Sequence, residues 1–259
     1  MTDGSAAAVG DRGREAGGAP DLVATPVLVG GPDLVAMLDL APDPVPSPAP
    51  VVDGSIGIIG GTFDPMHHGH LAIAEEAREA LGLERVLFVP AATPPHKPGR
   101  PVTPAAHRLE MARLAVVGNP TFAVSDIEVA RGGASYTVDT LASLAEDADA
   151  EPWFILSAEA LAGLPTWRQP SRILDLARLA VVPRGGYEAL DRAWVRSAFP
   201  GREDRFRFLP GPLLPISGSV VRRRAAAGRS VRYLVPDAVA DYIAANALYA
   251  HPDRRNQTT

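Results

Sequence analysis

Three of the six histidines in this 259-residue chain fall within four positions of one another, in the run Gly60-Gly61-Thr62-Phe63-Asp64-Pro65-Met66-His67-His68-Gly69-His70. If a helix has begun here, His67 and His70 are three apart and share a face of its first turn. Backbone N–H groups have no intrahelical partner at such a start and the helix dipole is positive there, so the place suits an anion. Imidazole N–H groups beside it donate to phosphate oxygens, and glycine at 60 and 61 lets main chain approach a ligand without a Cβ in between. The run is not GxGxxG and has no Lys-Ser/Thr pair of a Walker loop, so neither dinucleotide nor P-loop chemistry is indicated. A metal cluster and idle loop histidines are the two other readings. The lack of any cysteine, with Pro65 and Gly69 as neighbours, favours a phosphate cradle over a metal.

A second helix start has the same character. Pro215-Ile216-Ser217-Gly218-Ser219-Val220-Val221-Arg222 offers Ser217 or Ser219 as an N-cap and places Arg222 one turn in, within reach of the same anion. Alone, a serine-capped helix with an arginine is ordinarily structural; beside the histidine run it reads as a second phosphate grip. Arg223 and Arg224 read as a solvated face. In Gly133-Ala134-Ser135-Tyr136-Thr137, Ser135 is placed to cap a helix, and the N–H groups near Tyr136 and Thr137 could receive a carboxylate. Trp167 is either a packed core aromatic or a flat face for a ring ligand. Pro94-Pro95-His96-Lys97 is a proline-stiffened turn holding the one lysine among 25 basic residues.

The elements that must position these residues are short apolar runs alternating with helical spacing. Strands are expected at Ile56–Ile59, Arg85–Pro90, Phe122–Val129, Trp153–Leu156, Leu179–Pro183 and Phe206–Leu209. Helices are expected at Leu71–Leu81, His107–Val117, Thr137–Glu146, Ser171–Ala177, Ala189–Ala198, Val220–Ala227 and Pro236–Ala247. This alternation predicts an α/β fold, a Rossmann-like three-layer parallel sheet with helices on both faces. In such sheets ligands sit beyond the carboxyl ends of the strands, where the informative residues fall.

Composition bounds the function. Apolar residues make up 46% and charged residues 21%, ordinary for a globular protein. No apolar run approaches the roughly 18–20 residues that cross a bilayer, and the N-terminus carries no secretory pattern, so no membrane partner is expected and a cytoplasmic address fits. The net charge of −5 lies in residues 1–50; the remaining 209 balance at 23 acids and 23 bases, which does not suggest a nucleic-acid partner. Residues 1–54 alternate prolines from Pro42 to Pro50 and read as a disordered Pro/Gly/Ala-rich tail, or equally as a start site assigned too far upstream. Residues 55–250 then form the folded domain and 251–259 a C-terminal tail. The sequence does not set an oligomeric state.

Strand–GGTFDPxHxGH–helix resembles the HxGH nucleotidyltransferase superfamily and, more narrowly, the bacterial nicotinate-nucleotide adenylyltransferases, from about Ser55 to Tyr249. The segment at 216–222 is similar to that family's ISSTxxR signature, with Gly218 and Ser219 where Ser and Thr are usual. Ser157 and Glu159 stand where its GxDxL segment has Gly and Asp. The resemblance implies AMP transfer from ATP to nicotinate mononucleotide, giving deamido-NAD and pyrophosphate. It implies catalytic roles for His67, His70 and Arg222, and ATP contacts at Gly61, Thr62, Phe63, His67, His70, Glu159, Ser217, Ser219 and Arg222. It implies nicotinate mononucleotide contacts at His96, Lys97, Tyr136, Thr137 and Trp167. Mg²⁺ is expected to arrive with ATP, not in a dedicated protein cage. The alternatives are another HxGH enzyme, such as a pantetheine-phosphate adenylyltransferase, and a nucleotide-binding regulator without turnover.

Overall fold

A computed structural model of the chain describes residues 52–95, 101–145, 151–185, 187, 189–211 and 213–250. The tail expected over 1–54 falls outside these residues up to 51, as do His96, Lys97, the end of the helix expected at Glu146, and the tail at 251–259. The last three residues of the first tail, 52–54, belong instead to the first strand, which pairs from Val52 onward.

Six parallel strands form one sheet in the order β3-β2-β1-β4-β5-β6. They are β1 (Val52–Gly61), β2 (Leu83–Pro90), β3 (Phe122–Val124), β4 (Trp153–Ser157), β5 (Arg178–Val182) and β6 (Phe206–Phe208). Successive residues of each central strand point to opposite faces, and both faces are covered. Ile59, Val86, Phe88, Ile155, Ala180 and Val182 pack on one face, while Ile58, Val89, Phe154, Leu156, Leu179 and Val181 pack on the other. Burial on both sides is why these strands read as unbroken apolar runs. The two edge strands, β3 and β6, are only three residues each, leaving little unpaired edge.

Four helices cover the first face: α1 (His68–Leu81), α2 (Ala105–Val116), α8 (Gly218–Ala226) and α9 (Asp237–Ala245). The second face carries α4 (Thr137–Ala145), α5 (Ala158–Gly163), α6 (Pro170–Leu176) and α7 (Arg192–Ala198). The three-layer arrangement expected from the sequence is the one observed. The chain walks outward from β1 to β3, returns to β4 beside β1, and walks outward again to β6. The strand order reverses between β1 and β4, and a crevice opens there beyond their carboxyl ends.

Three local expectations are corrected. The strand expected over Phe122–Val129 ends at Val124, and Ile127–Arg131 is a short helix, α3. Alternating apolar residues imitated a strand, yet the residue buried in this stretch is Glu128, bonded to the Thr140 hydroxyl. The helix expected from Ala189 starts at Arg192, where the Asp191 carboxylate accepts the Trp194 N–H at 2.9 Å. α5 and the 3₁₀ turn Leu164–Thr166 were not expected; Leu161 and Leu164 anchor them in the core.

Candidate active site

β1 ends in Gly60-Gly61, and the chain then turns sharply at Phe63, whose φ is +47°. The Phe63 ring is buried against Phe88 and lies edge-on to the His70 ring, centroids 5.0 Å apart. A Cβ at Gly61 would stand 2.7 Å from the Phe63 ring, so glycine is what permits this fold-back. α1 begins immediately after, with His67 in extended conformation as its N-cap. The backbone N–H of His67 donates to Nδ1 of His70 at 3.2 Å, which leaves Nε2 of His70 as the proton-bearing nitrogen. The two imidazoles stack at 3.6 Å with 16° between planes. His67 is 6% exposed and its Nδ1 has no hydrogen-bond partner among the described residues. Burial, with the positive charge of Arg184 second, lowers its pKa to about 4. His67 therefore acts near neutral pH as an uncharged dipolar ring.

The second corner touches the first. Of the two candidate serines, Ser217 is the N-cap of α8, its hydroxyl accepting the Val220 N–H at 3.3 Å. Arg222 donates to the Asp64 carbonyl at 2.6 Å and to the Ser219 hydroxyl at 3.2 Å. Gly218 packs on the same carbonyl so closely that a Cβ there would lie 2.7 Å from it. Both corners open into one cavity of about 810 Å³, bounded also by the ends of β4 and β5. That volume suits a small-molecule site.

At the β4 end, the Ser157 hydroxyl accepts the Ala160 N–H at 3.3 Å and so caps α5. The side chain added at this position is absorbed as a cap. Glu159 pairs with Arg184 at 3.4 Å across the cavity wall. Trp167 lines the same cavity and meets Phe154 edge-on, centroids 6.2 Å apart.

The structure thus gathers Gly61, Thr62, Phe63, His67 and His70 with Ser217, Ser219 and Arg222, and adds Glu159 and Trp167. Tyr136 and Thr137 do not line this cavity. Tyr136 lies under the Arg168 guanidinium, 4.8 Å from the ring centroid, and its carbonyl takes N–H bonds from Asp139 and Thr140. Ser135 does not cap α4 as expected: its hydroxyl accepts the Ala92 N–H at 2.8 Å, tying α4's approach to the end of β2. Among the described residues no group of three or more histidines and carboxylates converges in a way that could hold a metal ion, and the parallel stacking of His67 and His70 is not ligand geometry.

Sequence reasoning missed four residues. Arg108, 1% exposed, sends its guanidinium from α2 to three carbonyls: Thr103 at 2.7 Å, Thr62 at 2.8 Å and Ala92 at 2.7 Å. It fastens the loop after β1 to both described roots of the loop after β2. Its burial lowers its pKa, partly offset by the charge of Asp64. Asp64 sat inside the quoted motif without an assigned task, and Tyr249 and Arg184 lay outside every motif. For Arg108 the available signal was an arginine on the apolar face of a helix.

The cytidylyltransferase-like family profile matches residues 58–224. A protein of Thermomicrobium roseum named "Probable nicotinate-nucleotide adenylyltransferase" is 51% identical over 195 residues, covering 75% of this chain and 91% of that relative. The chain belongs to the nicotinate-nucleotide adenylyltransferase family. A relative of the same name from Roseiflexus sp. is 52% identical over 194 residues, 75% of this chain and 97% of its own. The fold is also that of the Plasmodium falciparum nicotinic acid mononucleotide adenylyltransferase complexed with NaAD, with a TM-score of 0.63 at 18% identity, over 75% of this chain and 97% of that one. Membership in this family answers the pantetheine-phosphate alternative, and with it the regulator reading.

Proposed function

We propose that ATP and nicotinate mononucleotide meet in the cavity between β1 and β4, where AMP passes to the mononucleotide and pyrophosphate leaves. One observation carries the placement: the starts of α1 and α8, with His67, His70 and Arg222, open into the same cavity at the sheet's reversal point.

The reaction needs little covalent help. A phosphate oxygen of the mononucleotide attacks the α-phosphorus of ATP, forming one P–O bond while the bond to the β-phosphate oxygen breaks. A phosphate monoester is largely dianionic near neutral pH because its second pKa is about 6, so no general base is required. The obstacle is charge, since two anions approach and negative charge grows on bridging and leaving oxygens. Nε2–H of His70, the main-chain start of α8, the Ser219 hydroxyl and the Arg222 guanidinium supply donors that are already in place. His67 contributes as a neutral dipole, and its stacking fixes the orientation of His70. Gly61, Thr62 and Phe63 shape the main chain that faces the phosphates. Glu159, oriented by Arg184, faces the ribose hydroxyls of adenosine. Mg²⁺ enters as part of the ATP substrate and neutralises triphosphate charge.

On the acceptor side, the Trp167 indole offers its face to the electron-poor pyridine ring. The start of α4 at Tyr136 and Thr137 receives the ring carboxylate, with His96 and Lys97 assigned to the mononucleotide phosphate. Such a site prefers the acid to the neutral amide. The folded domain is under way by Val52, where β1 starts, and its address is the cytoplasm, where ATP is supplied. Among the described residues no helix is long and apolar enough to cross a membrane.

The test is pyrophosphate release from ATP and Mg²⁺ with nicotinate mononucleotide, its amide or phosphopantetheine as acceptor. Fast release with the first and slow release with the second is expected. Release with phosphopantetheine alone, or none with any acceptor, overturns the reading.

A further inference from the structure

Asp64 is an acid beside the place where a triphosphate is to be held, which ordinarily opposes binding. Its side chain is 7% exposed, and both carboxylate oxygens are engaged. Oδ1 accepts the Tyr249 hydroxyl at 2.7 Å and Oδ2 accepts the Thr103 N–H at 3.4 Å. The backbone carbonyl of the same residue takes the Arg222 Nη1 donor at 2.6 Å, while that nitrogen stands 3.8 Å from Oδ2. A closed guanidinium–carboxylate contact lies at about 2.7–2.9 Å. The two groups already form an ion pair, left roughly 1 Å wider than a closed contact, so Arg222 keeps donors that a closed pair would take from phosphate. The restraint comes from 185 residues further along the chain. Tyr249 adopts a φ of +66° just beyond α9, packs against the core, and lines a hollow with Thr103, Arg222 and Arg223.

We propose that Tyr249 is a positioning residue for ATP: by holding the Asp64 carboxylate at Oδ1, it keeps the Asp64–Arg222 ion pair from closing and leaves the guanidinium donors open to the triphosphate. The inference rests on the reading of Arg222 as a phosphate ligand. Burial and the neighbouring Asp64 charge push the phenol pKa up, so the hydroxyl remains a donor throughout the working pH range. Without that hydroxyl, Oδ1 loses its donor inside a buried site, and the Arg222 Nη1, 3.8 Å from the other oxygen, is a charged donor within reach of the turned carboxylate. The ion pair then competes with the triphosphate for one guanidinium.

The test is Tyr249→Phe, which removes a single oxygen, assayed by pyrophosphate release with each substrate varied in turn. The KM for ATP should rise by about 5- to 10-fold, the net effect of one ordinary intramolecular hydrogen bond, with the KM for nicotinate mononucleotide within about twofold of the parent. Thermal melting reports whether the variant is folded. The same substitution made in Arg222→Ala and in Asp64→Asn backgrounds should bring no further rise, because groups acting through one another are non-additive. An unchanged KM for ATP in the parent background, or an equal rise in the Arg222→Ala background, overturns the proposal. If Arg222→Ala itself leaves the KM for ATP unchanged, it is the reading of Arg222 that fails. The Asp64→Asn pair keeps the question answerable should Arg222→Ala abolish turnover.

Discussion

The two halves of the site are built on different plans. In the proposed reading the donor half is one packed unit at the carboxyl ends of the strands: the turn after β1, two helix starts carrying His70, Ser219 and Arg222, and the ends of β4 and β5, so close that Gly218 packs on the Asp64 carbonyl. The acceptor half, as proposed, is spread over separate elements. Trp167 reaches the cavity from a 3₁₀ turn, while Tyr136 and Thr137 begin α4 outside its lining. Groups on mutually packed turns cannot be adjusted singly, which suits a triphosphate common to many reactions. Groups on separate elements can change one at a time, so selectivity is expected to lie in the acceptor half.

That contrast can be broken most sharply at the histidines. His67→Ala and His70→Ala should each lower kcat by about 10²–10³, if they act as single preorganised donors or their support do, with little change in the KM for nicotinate mononucleotide. Steady-state pyrophosphate release measures both, and near-normal turnover would remove the electrostatic role of the donor half. Arg108→Ala should cost about 3 kcal/mol of stability, because three buried carbonyls lose a charged donor together; a urea midpoint unmoved from the parent would show that the loops need no clamp.

A pH dependence of similar size belongs to His67. Its pKa falls from 6.5 to about 4 on folding, so between these values the unfolded chain binds the extra proton. Its contribution is whole above pH 6.5 and is lost as pH falls toward 4, a loss of about 3 kcal/mol at 1.36 kcal/mol per unit. Urea unfolding of the parent and His67→Ala at pH 7 and pH 4.5 should give the variant the smaller loss. A parallel loss in both would place the acid sensitivity elsewhere. The smallest expected effect is on the acceptor half. Trp167→Ala should raise the KM for nicotinate mononucleotide by roughly 10-fold, within the range of one lost ring stack, and leave that for ATP alone. Equal changes for both substrates would mean the two halves are not separable.

Much of the fold and of the donor half was legible from residue order. Apolar runs gave the six strands because a sheet covered on both faces leaves no polar alternation to blur them. The histidine run and the serine–arginine run could be matched to helix starts because capping chemistry is local. What stayed hidden depends on contacts distant in sequence. Tyr249 and Asp64 meet through the chain beyond α9, and Arg108 looks like an ordinary helical arginine until two loops close around it. Glu128 misled for a related reason: its neighbours alternate like a strand, while its own burial depends on Thr140 from another helix. Ser135 was read from its neighbours in sequence, and its actual partner is the end of β2.

The contact between Gly218 and the Asp64 carbonyl works as a mechanical stop. With no methyl group between the jaws, the gap that receives the phosphates is gauged by peptide against peptide and stays indifferent to what the rest of either helix displays. Surface substitutions along α1 and α8 can then accumulate freely, so long as position 218 keeps the smallest residue available.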